Sequence, residues 1–211
     1  MNHRHPRVVS RVLTLFLVFM AGVEEARATD WPAGSPEAVV ATLQAGLVAA
    51  ARAQASTGVD ARYRALEPLI VATHDLPYIA EFALRRQWAS LGDADRQRFV
   101  AAFQRLSVMT YASRFANVAP DTFRAIAPGA AGAGGRVQVS TAVARGGQPD
   151  VTLEYLLERD AGGDWRIINI IADGVSDLAL KRAEYQRVFA RGGLEGLLAE
   201  LDAQTEELGA N

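Results

Sequence analysis

The chain has 211 residues, half of them hydrophobic, with 22 basic against 24 acidic side chains and no cysteine. That length can bury a core of its own, while the lack of cysteine excludes a disulfide framework. The slightly acidic balance gives no global attraction for nucleic acid, so no such partner is expected.

The first residues read as an export signal. His3, Arg4, Arg7 and Arg11 form a basic start, Val12–Val23 is an apolar run short for a membrane span, and Ala26-Arg27-Ala28 places small residues where a signal peptidase cuts. The expected division is residues 1–28 as signal and 29–211 as one exported domain. Glu24-Glu25 beside the cleavage site is atypical and leaves a retained N-terminal anchor open. Removing residues 1–28 takes four Arg and two Glu, so the formal charge goes from −2 to −4.

Ser35-Pro36-Glu37 is a helix start, with a capping serine and proline at the first helical position. Val39, Val40, Leu43, Leu47 and Val48 follow at helical spacing, and the helix is expected to end near Gly58. A second helix is expected from about Asp60, with Tyr63, Leu66, Leu69 and Ile70 apolar and a kink or break at Pro68. Asp75 is a cap and Pro77 a first-turn residue for a third helix that carries Ile79, Phe82 and Ala83 and ends around Trp88. From Ala94 to about Asn117 a long helix presents Phe99, Phe103, Leu106, Met109, Tyr111 and Phe115.

Phe123–Ile126 is a short candidate strand, and Pro128–Gly135 is an Ala/Gly-rich loop without periodicity. Three apolar segments follow, Val137–Ala144, Val151–Glu158 and Trp165–Ala172, separated by Gly-rich turns, which predicts consecutive antiparallel strands. The first two alternate and so bury one face. The third, with Ile167, Ile168, Ile170 and Ile171, is apolar in both directions and must be covered on both sides, by helices on one and by something else, such as a ligand, on the other. Asp173-Gly174-Val175-Ser176 turns into a helix over 177–190, and Gly192-Gly193 breaks it before a last helix striped with Leu194, Leu197, Leu198, Leu201 and Leu208. Helices, then a small antiparallel sheet, then helices make an α+β fold.

The catalytic inventory is thin. His74 is the one histidine outside the export signal, so neither an ordinary zinc site nor a Ser/His/Asp arrangement has its usual residues. Gly174-Val175-Ser176 fails the nucleophile-elbow pattern at Leu178, and the glycines at 132, 134 and 135 lack the strand and helix of a phosphate loop. Glu154 and Glu158 share one side of a strand, where a solvated face is the ordinary reading and a glycosidase pair the sharper one. No cofactor is called for. The residues leave three classes open: a binding protein with an apolar pocket, a small hydrolase or isomerase using His74 and a nearby carboxylate such as Asp75, and a non-catalytic assembly factor.

Order and spacing of short motifs add a resemblance. Arg64–Pro68 with Leu69-Ile70, Asp75-Leu76 with Ile79-Ala80, Trp88 with Leu91 and Asp93, and Gln97-Arg98 with Phe99 and Phe103 come first. Then follow Tyr111-Ala112-Ser113-Arg114-Phe115, Tyr155-Leu156-Leu157, Trp165–Ile168, and Asp173–Ser176 with Arg182, Tyr185 and Gly193. In this order the chain resembles the MlaC-like family, the toluene-tolerance proteins that serve as periplasmic auxiliaries of ABC lipid transporters. Ser176-Asp177-Leu178-Ala179 with Arg182 is similar to its hopanoid-associated, HpnM-like subgroup; Asn169 departs from the aspartate frequent in the family.

The resemblance implies a twisted antiparallel sheet wrapped by N- and C-terminal helices around an apolar cavity. It implies a periplasmic shuttle for a phospholipid or hopanoid-type lipid, and not an enzyme. Its partners would be an inner-membrane ABC transporter with an MCE-type component and an outer-membrane lipoprotein complex. The side chains expected to line the cavity are Phe103, Tyr111, Phe115, Val143, Tyr155, Ile168, Ile170 and Leu178.

Overall fold

The Gly-punctuated segments after Gly135 fold as a meander. The computed structural model describes residues 31–53, 58–124 and 126–210, so the expected signal over 1–28 lies outside the described residues. Strands β1 (Ala130–Ala131), β2 (Val137–Arg145), β3 (Gln148–Arg159), β4 (Trp165–Ala172) and β5 (Val175–Ser176) neighbour one another in chain order, each pair antiparallel. The reversals use Gly147 at φ +83° and Gly163 at φ +89°, backbone that most side chains resist.

Register follows the predicted alternation in β2 and β3. Val139 faces Tyr155 and Thr141 faces Leu153, which puts the alternate apolar residues of both strands on one face. In β4 the pairing slips: Tyr155 faces Ile170 and Leu156 faces Asn169, but Leu157 faces Ile167. Ile168 is the extra residue of this bulge, and Ile167 and Ile168 are both buried, at 0% and 3% exposure. The run of isoleucines that looked two-sided is therefore a local change of register.

Among the described residues four helices precede the sheet, α1 (Pro36–Ala53), α2 (Gly58–Thr73), α3 (Leu76–Leu84) and α4 (Asp93–Arg114), and α5 (Asp177–Ala210) follows it. α1 packs on α2 and on β2 and β4, while α4 packs between α2 and α5. The centre is aromatic: Tyr185 meets the edges of Phe99 and Phe103 at centroid distances of 6.1 and 6.3 Å, and all three are at most 1% exposed. Among the described residues no helix is long and apolar enough to cross a membrane.

Several boundaries differ from expectation. α1 is described to Ala53, residues 54–57 lie outside the described residues, and Gly58, near which the end of α1 is expected, already begins α2. α2 runs through Pro68 unbroken, because buried Leu66 and Ile70 on either side hold it against its neighbours. α3 stops at Leu84, since Arg85 takes φ +30° and ends the helical ladder; Trp88–Ser90 is a separate short turn. Phe123 makes one bridge to Val143 instead of a strand, with Arg124 N–H donating to Ala142 O at 2.9 Å; Ala125 is outside the described residues. The loop expected over Pro128–Gly135 contains the two residues of β1.

Gly193 breaks α5, at φ +61° and ψ −160°. Gln204 beyond the break donates to Glu184 before it at 2.9 Å. Twenty residues of straight helix would span about 30 Å, so the second arm folds back on the first. Nothing lies within 4 Å of a Cβ built at Gly193, so Gly193→Ala tests the backbone alone. It should cost on the order of 1–3 kcal/mol, read as a lower urea midpoint.

Candidate functional site

The connector between α2 and α3 ties the helices to the sheet. Asp75 N–H donates to Ile167 O at 3.0 Å, and His74 bridges Ile167 in parallel pairing. The Asp75 carboxylate accepts from Tyr78 N–H at 3.0 Å and caps α3, so no His74–Asp75 acid/base pair forms. The His74 ring is buried and its proton can be placed. Thr73 Oγ1 donates to Leu69 O at 2.8 Å, leaving its lone pairs for Nδ1–H of His74 at 2.9 Å, with Ile70 O a second acceptor at 3.2 Å. Nε2 then accepts from the Tyr111 hydroxyl at 2.9 Å. Neutral His74 is thus fully paired. Burial pushes its pKa down to about 4 and holds the Tyr111 phenol well above its ordinary range.

Tyr111, held this way, begins an aromatic row. Phe115 stacks on it at 5.6 Å and Phe123 stacks on Phe115 at 6.1 Å. A cavity of about 230 Å³ lies beside Tyr111 and Phe115, against the sheet. Of the side chains the sequence nominates, Phe103, Tyr111 and Phe115 reach it from α4, Tyr155, Ile168 and Ile170 from the sheet, and Leu178 from α5. Val143 does not line it: it sits near the β2–β3 turn, opposite Val151 and bridged to Phe123.

Sequence reading missed part of the lining. Leu153 and Ile167 lie on the face of Tyr155 and were readable from the strand alternation. The polar rim was not nominated: Ser107, Thr110 and Arg114 continue the helical stripe of Phe103 and Tyr111, and Lys181 is bound to both oxygens of Asp177 at 2.7 Å. Burial raises the Tyr155 phenol to about 12, so it stays neutral in the wall.

A second space, an outer groove of about 520 Å³, lies between α3 and α5. Ile168, Asn169 and Leu178 line both spaces and form the wall between them. Asn169 is held there because its Oδ1 accepts from Ser176 Oγ and from Leu178 N–H, each at 3.2 Å, while Ser176 Oγ accepts from Ala179 N–H at 3.1 Å. These bonds cap α5 where it leaves β5. Arg136, also in the groove, donates to Glu158 at 2.9 Å and to the Tyr78 hydroxyl at 3.0 Å. Glu154 is taken by Gln138 at 2.8 Å, so the two strand carboxylates serve separate cross-strand partners. Among the described residues no group of three or more His, Asp or Glu is placed to hold a metal ion.

Comparison with known proteins identifies the family and the fold. A family model described as "MlaC protein" matches residues 40–203. The chain belongs to the MlaC family. The matched span contains every residue of the cavity, the groove and the wall between them. The fold is shared with a phospholipid-binding protein from Ralstonia solanacearum, solved in complex with a phospholipid. The two superpose with a TM-score of 0.71 at 24% identity, over 82% of this chain and 98% of that one.

The buried histidine predicts a pH response. Unfolded, His74 titrates near 6.5; folded, it titrates near 4, so protons bind the unfolded chain first. Stability is complete above pH 6.5 and declines as pH falls toward 4, by about 3 kcal/mol for this group. Urea unfolding of the native chain and of His74→Gln from pH 8 to pH 4 should show the stability gap between them narrowing by that amount on the acid side.

Proposed function

We propose that this protein is a periplasmic, non-catalytic lipid carrier. It shelters the apolar part of a phospholipid or hopanoid-type lipid in the inner cavity, and passes it between an outer-membrane lipoprotein complex and an inner-membrane ABC transporter with its MCE-type component. The observation that carries this reading is the apolar space beside Tyr111 and the sheet, within an MlaC family chain. The phospholipid bound by the Ralstonia solanacearum protein of the same fold supports it.

Physical chemistry favours such a guest. Each methylene removed from water contributes about 0.8 kcal/mol, so a few turns of acyl chain outweigh the cost of ordering them. The inner cavity is smaller than the roughly 300–1,000 Å³ that encloses a drug-sized ligand, so a lipid tail occupies it and the rest of the molecule extends outward. His74 has both ring nitrogens engaged and Asp75 is spent on a helix cap, which favours carriage over acid/base catalysis. The basic start and apolar run over 1–28 support export.

Native mass spectrometry of protein recovered from its host should show a lipid adduct that organic solvent releases. A clean unliganded mass under gentle conditions would sink the carrier reading. Ile170→Trp, at a half-buried position on the cavity wall, should cut lipid loading severely while leaving the unfolding midpoint near that of the native chain. Ile168→Asp should abolish loading, because an unpaired carboxylate in an apolar wall repels the chain it faces.

A further inference from the structure

His74 does more than brace Tyr111: it also lines the inner cavity. The Nδ1 side of its ring is indifferent to a second proton, because Thr73 Oγ1 at 2.9 Å and Ile70 O at 3.2 Å both serve as acceptors. The Nε2 side is not. In the neutral ring Nε2 accepts from the Tyr111 hydroxyl at 2.9 Å; once protonated it has to donate, and the Tyr111 hydrogen must turn elsewhere. Most of the cavity wall gives that hydrogen nothing, since the side chains of Leu76, Ile79, Phe103, Ile167 and Leu178 hold no acceptor.

The charged groups around the ring do not neutralise an imidazolium. From α5, Asp177 favours the charged ring and Lys181 opposes it, and Lys181 Nζ donates to both oxygens of that carboxylate at 2.7 Å. From α4, Tyr111 is a phenol kept neutral by burial, and Arg114 is a solvent-exposed cation at the rim. Tyr155 on β3 is likewise neutral, β4 meets His74 through uncharged Ile167, and Asp75 of the connector is spent on the α3 cap. A charged His74 therefore depends on water for its solvation. The cavity of about 230 Å³ has room for several waters when it holds no guest, and hydrocarbon in the same space excludes them. A guest that excludes this water opposes the proton, and by reciprocity the proton opposes the guest by the same factor.

We infer that the inner cavity is proton-gated: a proton taken from solvent at Nε2 of His74 reverses the hydrogen bond to Tyr111, draws water into the cavity and expels the hydrocarbon guest. This rests on the carrier reading and adds regulation to it. Burial holds the ring's titration down near 4, so the carrier keeps its cargo at neutral pH and unloads in acid.

The test follows the His74 ring by NMR in the delipidated full chain and in the same chain loaded with dioleoyl phosphatidylcholine, whose net charge is constant from pH 8 to pH 4. His74 is the one histidine outside residues 1–28, so few imidazole signals compete with its own. Its midpoint should lie about one pH unit or more lower in the loaded protein, roughly a tenfold coupling. Lipid affinity should be roughly twofold weaker at pH 4 than at pH 7 and should fall further below pH 4. His74→Gln, whatever its affinity at pH 7, should show no such weakening, and Asp177→Asn, which removes the neighbouring acid, should keep it. A loaded midpoint equal to or above the empty one overturns the gate and leaves the carrier standing. So does an acid weakening that persists in His74→Gln or vanishes in Asp177→Asn. Failure to bind the lipid at any pH overturns both readings. If His74→Gln does not fold, the two midpoints of the native chain still decide.

Discussion

The molecule depends on a polar strut in an apolar interior. Leu69, Thr73, His74 and Tyr111 form one hydrogen-bonded chain from α2 to α4, and the next residue, Asp75, pairs its backbone with the edge of β4. Burying such groups is tolerable only when each is paired, and here each is. The geometry of the bonds sets where the Tyr111 ring stands relative to Ile167. Hydrophobic packing alone is non-directional and draws surfaces together until they touch. Bonds of fixed length hold an aromatic wall apart from an isoleucine strand, which leaves a space where packing would leave none.

The same strand organises the other side. The bulge at Ile168 turns two consecutive isoleucines into buried residues, and Asn169, whose backbone stays in register with Leu156, turns its side chain to cap α5. That cap starts α5 directly above the wall, so its first turns face the inner cavity through Leu178 and the outer groove through Ala179, Arg182 and Gln186. Greasy and charged surfaces are thereby brought within one helical turn of each other. An amphiphile has the same layout.

Much of this was legible in the residues. Alternation placed Tyr155 and its neighbours on one face, glycines placed the turns, Asp75 and Pro77 placed the start of α3, and Gly193 placed the break in α5. What escaped depends on tertiary partners. Pro68 reads as a breaker, yet packing of Leu66 and Ile70 carries α2 through it. Val143 alternates with the cavity residues but lies too far along β2 to reach them.

The wall between the two spaces has a further property. The outer edge of β4 is paired at Ile167 by the His74 connector and again at Ile171 and Ala172 by β5, with Ile168, Asn169 and Ile170 between. Along that interval the barrier is made of side chains and of one helix start, with no ladder of main-chain bonds running across it. Parting that barrier calls for side-chain rotation and loss of the Asn169 cap on α5, without separating two paired strands, and side-chain rotation is fast compared with unfolding. The protein is built as a purse whose clasp can part without tearing the cloth.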